Sequence, residues 1–195
     1  MSKAIMVDEV TMLQKITEID NMKEDSAESF NREHCITPET RLVIVGTITP
    51  TAGTANGYFY TAPRNRIYGY IDQAIGTNLK EIKRELQSAE NKGEVVADII
   101  KVLKENKIAF LDVMKHVIRT NGSSSDDDIK YYCLDIESFK KIQESVNIVC
   151  NSRLAEAKYK EICEKLGRED KHIFLSQRST IKEVWIETIK RLASM

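Results

Sequence analysis

Four short apolar runs, separated by amphipathic stretches of helical period, leave this chain few folds to choose from. The runs are Arg41–Val45, Ile108–Val113, Val146–Cys150 and His172–Leu175. Continuous rather than alternating runs of this length mark strands covered on both faces. The stretches between them predict helices over 66–76, 78–90, 94–105, 135–144, Arg153–Leu166 and Thr180–Leu192, with Gly167 closing the fifth. In the third, Val95, Ile99, Val102 and Leu103 share one face, and Trp185 lies on the apolar face of the last. Strands alternating with helices imply a parallel sheet with helices on both faces. The expected architecture is a three-layer α/β/α fold with a central four-stranded parallel sheet. A chain of 195 residues is long enough for one real core, so a single domain over 1–195 is expected. Within it, residues 38–195 form the body and 1–37 an amphipathic helical extension, since Val10, Leu13, Ile16 and Ile19 recur at helical spacing over 8–33 and Pro38 breaks the chain. Thr120–Asp128 reads as a polar loop with cap residues at its end.

Charge narrows the partners. The formal net charge is −1, which argues against a generally adhesive nucleic-acid binder. Residues 1–40 hold 4 Lys and Arg against 9 Asp and Glu; the remaining 25 basic and 21 acidic residues leave the body at +4. A mildly basic body can still carry a basic face. Cys35, Cys133, Cys150 and Cys163 form no C-x-x-C pair, and three scattered histidines give no zinc-type spacing, so no metal is expected. Cys150 ends an apolar run and is expected buried and reduced. No stretch approaches the ~18 apolar residues of a membrane span, and no signal-peptide apolar segment opens the chain. A cytoplasmic protein without membrane association is the expectation.

Residues 41–70, RLVIVGTITPTAGTANGYFYTAPRNRIYGY, carry the chemistry. A buried strand that stops at Gly46-Thr47 delivers its loop to the carboxyl edge of the sheet, where open α/β folds place ligands. Tyr58-Phe59-Tyr60 and Pro63-Arg64-Asn65-Arg66 follow. Aromatic, amide and guanidinium groups are what is needed to grip a flat heterocycle and the phosphates beside it.

With these segments in order, the chain resembles the uracil-DNA glycosylase superfamily from about residue 38 onward, in particular its hypoxanthine-type branch. That branch has a strand ending in a glycine-led loop, a Tyr-Tyr pair, then Pro-x-Asn before an aromatic. Here these are Gly46-Thr47, Phe59-Tyr60, Pro63-Arg64-Asn65 and Ile67-Tyr68. A Leu-Trp-Asp-Val strand end and a Gly-Ser segment with acids correspond to Phe110-Leu111-Asp112-Val113 and Gly122-Ser123-Ser124-Ser125-Asp126. Val149-Cys150-Asn151-Ser152 matches a strand ending in Asn and a small residue, and Leu175-Ser176-Gln177-Arg178-Ser179 matches the second motif, usually Leu-Pro-Ser-x-Ser. The departures are as specific. Many members carry a catalytic Asp or Asn where this chain has Ile48, the loop continues Thr49-Pro50-Thr51, and the second-motif His or Asn and Pro fall at Leu175 and Ser176. The hypoxanthine-type branch also lacks the first-motif group, and its activity is thought to lean on the Asn of Pro-Arg-Asn, here Asn65.

The resemblance implies removal of deaminated bases, of uracil or hypoxanthine type, from single-stranded or mismatched DNA, by N-glycosidic hydrolysis without a cofactor. Its alternative is an inactive member that binds nucleic acid, a base or a protein. Asn65 is the catalytic candidate, and the N-cap of the helix near Ile67 is its plain alternative. Gly46, Thr47, Ile48, Phe59, Tyr60, Asp112 and Asn151 are the expected base pocket. Tyr60 would be the stacking wall with Phe59 behind it, or both would be core aromatics; Asp112 would act as a base or bond a pocket amide. Arg64, Arg66, Lys115, Arg119, Ser176, Gln177, Arg178 and Ser179 would meet DNA, Arg178 by filling the gap the base leaves. Solvated loop arginines are the alternative. His116 would extend the rim or merely face solvent. Asp126, Asp127 and Asp128 read as cap residues. The acidic N-terminal helices would serve a protein partner or cover the groove.

Overall fold

The computed structural model describes residues 4–19, 25–29, 35–49, 56–120 and 125–194. Four fully parallel strands form its centre: β3 (Leu42–Gly46), β4 (Ile108–Asp112), β7 (Asn147–Cys150) and β8 (Ile173–Phe174), in the spatial order β4-β3-β7-β8. Every residue of β3 and β4 is buried, as continuous apolar runs require. The four predicted strands are these four, with ends within two residues of expectation.

Helices flank the sheet. They are α2 (Ile67–Ile75), α3 (Leu79–Glu85), α4 (Lys92–Glu105), α5 (Ile136–Lys140), α6 (Arg153–Leu166) and α7 (Lys182–Ser194). α2 packs on α3 and α7, and α7 reaches β3; α4 lies against β4, and α6 against β7. Local chemistry sets their ends. Ser152 caps α6, accepting from Ala155 N–H at 3.0 Å, and Gly167 ends it in the left-handed conformation at φ 63°. Trp185 is fully buried, stacks on Tyr70 at 6.0 Å and donates its indole N–H to Ser176 O. All four cysteines are buried and none is in a disulfide.

A second sheet was not legible in the sequence. It holds β1 (Ile5–Met6), β2 (Asp25–Ser29), β5 (Met114–Thr120) and β6 (Ile129–Leu134) in the order β1-β6-β5-β2. β5 pairs antiparallel with both β6 and β2. Val113 continues β4 into β5 without a loop: its N–H donates to Gly46 O, that of Met114 to Thr47 O, and Val113 O accepts from Asp135. The N-terminal segment is therefore helical over α1 (Glu9–Ile19), not throughout 8–33. The sequence of β2, DSAES, has no strand pattern; it is recruited by main-chain hydrogen bonds along β5. Among the described residues, no helix is long and apolar enough to cross a membrane.

Candidate active site

The carboxyl ends of β3, β4 and β7 open onto a cavity of about 530 Å³. Its wall includes Gly46, Thr47, Ile48, Tyr60, Asn65, Asp112 and Asn151, with Ser176, Gln177 and Arg178 beyond. Six of the seven expected pocket residues thus share one surface with the catalytic candidate. Phe59, the seventh, is fully buried against Tyr58 and Phe110 and does not line the cavity. It stands behind Tyr60, as expected.

Gly46 is where the chains come closest. Asp112 is its register partner on β4. A Cβ on Gly46 would lie 2.5 Å from Asp112 Oδ1 and 2.7 Å from the Tyr60 hydroxyl. Only a residue without a side chain lets both polar groups converge there. Tyr60 adopts φ 54°, uncommon for a non-glycine residue, and so leaves its neighbours' course to enter the cavity. Its hydroxyl accepts from Asn151 Nδ2 at 2.9 Å, and its ring meets Phe110 edge-on at 4.9 Å. One half-exposed aromatic is fixed at both ends.

Asp112 is 4% exposed. Thr49 donates its hydroxyl to Oδ2 at 2.7 Å. Burial lifts the carboxyl from the usual carboxylate range to about 7, against the Thr49 hydrogen bonds that pull it down and with the charges of Asp126 and Asp135 adding to the rise. The folded protein then holds this proton more tightly than the unfolded chain. Stability from this group is fully present at low pH, is lost as pH rises from about 4 to about 7, and is flat above. At about 1.4 kcal/mol per pH unit, the loss is on the order of 4 kcal/mol at most. Asp112→Asn should remove this loss. Urea unfolding at pH 5 and pH 8 should show the variant gaining on the native protein at the higher pH; an unchanged difference would refute the assignment.

Asn65 lines the cavity and stands one residue before Arg66, the N-cap of α2. Its Oδ1 accepts from Ile67 N–H at 3.0 Å at the start of α2, while Nδ2 donates to Gln177 Oε1 at 3.4 Å at the cavity wall. The bond to Ile67 fixes the amide with its nitrogen on the Gln177 side of the cavity wall. A residue not anticipated holds the loop itself. Lys83, 5% exposed, donates Nζ to Asn65 O at 2.8 Å, Ala62 O at 3.0 Å and Pro63 O at 3.4 Å. Three ammonium protons meet three carbonyls of the Pro-Arg-Asn loop. The signal was present: Leu79, Lys83 and Leu86 fall on one helix face, and a lysine amid leucines needs a buried partner. Lys83→Met keeps the volume but strands the carbonyls, at about 1–3 kcal/mol. Amide hydrogen exchange at Asn65 and Ile67 should accelerate at least tenfold relative to the central strands; unchanged protection would refute the clamp.

The far wall comes from the turn Asp126–Asp128. Ser125 caps it, accepting from Asp127 N–H, so the cap is Ser125, and the three aspartates expected as caps form the turn itself. Arg119, expected at a DNA-facing rim, is fully buried instead; its guanidinium donates to Ser125 O and lies 3.7 Å from Asp126. Lys115 is also drawn away, ion-paired with Glu9 of α1, and His116 is buried 3.7 Å from the same carboxylate. Burial and Lys115 hold the His116 imidazole below its usual range. All three lie on β5: burial removes Arg119 and His116 from the expected rim, while Lys115 stays partly exposed in its ion pair. Arg64, Arg66, Arg178 and Ser179 are exposed. Thr47 and Ser152 exchange a hydroxyl hydrogen bond at 3.0 Å, joining the first-motif loop to the start of α6. Among the described residues no cluster of three or more metal-ligating side chains occurs.

No family model matches the chain. Over 135 residues, 68% of this chain and 75% of the relative, it is 23% identical to a hypoxanthine DNA glycosylase of Methanosarcina acetivorans. The solution structure of a Methanosarcina acetivorans protein, provisionally designated a uracil DNA glycosylase, matches its fold with a TM-score of 0.58. That match covers 86% of this chain and 99% of the other, at 20% identity. The resemblance to the uracil-DNA glycosylase superfamily and its hypoxanthine-type branch holds in both comparisons, the fold through the second and the branch through the first.

Proposed function

We propose that this protein is a DNA glycosylase that removes deaminated bases, of uracil and hypoxanthine type, by hydrolysing the N-glycosidic bond. The observation that supports this most is the convergence of Tyr60, Asn65, Asp112 and Asn151 on one open cavity at the sheet's carboxyl edge. Its volume of about 530 Å³ falls in the range of small-molecule sites, room for an extruded base and its sugar.

As the bond breaks, the sugar becomes cation-like and the base departs with the electron pair. Tyr60 offers a flat wall for the base. Asn65, held by its bond to Ile67, offers a donor to the base or orients the attacking water. Arg178, exposed on the loop that Ser176 Oγ shapes by accepting from Arg178 and Ser179 N–H, is suited to the phosphate or the vacated gap. Arg64 and Arg66 would add phosphate contacts, on single-stranded or mismatched DNA where extrusion costs least.

A second reading has its own observation. Ile48, where many superfamily members have a catalytic acid or amide, lines the cavity with nothing polar. That favours an inactive binding protein. Oligonucleotides carrying uracil, hypoxanthine or xanthine, in single strands and mismatches, separate the two after alkali cleavage. Excision of any of them supports the enzyme. No excision at high concentration of folded protein, with oligonucleotide binding retained, leaves the binding reading.

A further inference from the structure

Within that glycosylase reading, Tyr60, Asn65 and the arginines leave without a step the buried carboxyl of the cavity lining, that of Asp112. Asp112 sits at the end of β4 with its carboxyl at the cavity wall, opposite Gly46. Three features set its geometry. Gly46 leaves space for Oδ1 and the Tyr60 hydroxyl side by side. Thr49 fixes Oδ2 through its hydroxyl. Asn151 fixes Tyr60 from the other side, so neither neighbour can swing across the carboxyl. A buried carboxyl pinned at Oδ2, with Oδ1 beside Gly46 and the residue in the cavity lining, has one oxygen not bound by Thr49 to offer a ligand.

We propose that Asp112 is the proton donor to the departing base, and that it acts on purines. As the glycosidic bond breaks, its electron pair passes to the ring nitrogen of the base. The proton on Asp112 passes to N7, so the base leaves as a neutral molecule. Water adds its oxygen to the sugar carbon, and its surplus proton restores Asp112. A 6-oxopurine displays N7 and its carbonyl oxygen as adjacent acceptors. A 4-oxopyrimidine has no basic ring nitrogen on that edge and leaves as an anion, for which this donor does less.

The surroundings keep a substantial share of the acid protonated near pH 7. The groups facing it are Thr49, the Tyr60 hydroxyl, and the carboxylates of Asp126 and Asp135; burial and both carboxylates favour the neutral form. Arg119 and Arg178, the nearby cations, are directed to Asp126 instead. Such a proton transfer is worth roughly 10²–10⁴-fold in rate.

The test compares the native protein with Asp112→Asn under single turnover, on hypoxanthine and uracil oligonucleotides, from pH 5 to 9. The expected loss is at least 100-fold on hypoxanthine and at least 30-fold smaller on uracil. The native hypoxanthine rate should fall above about pH 7. A purely structural Asp112 would depress both substrates alike, and equal losses overturn the proposal, as does no loss. If hypoxanthine alone is excised, a native rate flat through pH 7 overturns it and a falling one supports it. Excision of uracil but not hypoxanthine overturns it while sparing the glycosylase reading. Excision of neither removes both.

Discussion

Asn65→Asp is expected to leave the fold intact and to lower excision of uracil or hypoxanthine by at least about 100-fold. The substitution separates the residue's two duties. Aspartate retains an acceptor where Oδ1 receives the Ile67 N–H, so the start of α2 keeps that bond. It loses both Nδ2 donors, including the one directed to Gln177. It also places a negative charge where negative charge develops on the departing base. Asn65→Ala loses acceptor and donors together and should cost about 1 kcal/mol of stability as well. Single-turnover excision and urea midpoints on the two variants give a clean comparison. Near-native excision by Asn65→Asp would remove Asn65 from the chemistry and leave it only its bond at the start of α2.

Gly46→Ala should produce the largest structural effect. The new methyl group would lie 2.5 Å from Asp112 Oδ1 and 2.7 Å from the Tyr60 hydroxyl, well inside contact distance. The backbone cannot yield easily: β3 is paired on both sides, and Gly46 O accepts from Val113 N–H. Either the two polar side chains are expelled or the strand shifts. Overpacking of this kind costs about 1–3 kcal/mol, or roughly 2–10 °C in melting temperature for a chain this size. Asp112→Ala in the same chain removes the nearer obstacle and should restore part of the loss. A thermal melt of Gly46→Ala matching the native protein would show that the site relaxes freely, against the close approach described.

The parallel sheet was legible because its strands are buried on both faces and therefore read as unbroken apolar runs. The second sheet was not, for physical reasons that differ by strand. β5 carries His116 and Arg119 in its interior, and buried charges erase the alternation by which a strand is recognised. β2 has Ala27 alone as an apolar residue, and its antiparallel register with β5 runs through all five of its residues. The site divides in the same way. Gly46, Tyr60, Asn65, Asp112, Asn151 and Gln177 come from five separate segments, and motif order brought them together before any coordinates. Arg119 is buried against expectation because the strand before it continues into another sheet, where a basic residue after a strand would ordinarily be solvated. For Lys83 the helix face shared with Leu79 and Leu86 signals burial, but its partners are carbonyls, which no side-chain motif identifies.

The pairing of β2 with β5 changes what the N-terminal residues are. Residues 25–29 form the outer border of the second sheet, occupying the hydrogen-bonding edge of β5 from His116 to Thr120. A chain begun at residue 38 would bare that border as a row of unsatisfied amides and carbonyls, the template on which strands from other molecules add. The first forty residues are thus less an appendage than a selvedge, and trimming them for solubility would invite the self-association it was meant to prevent.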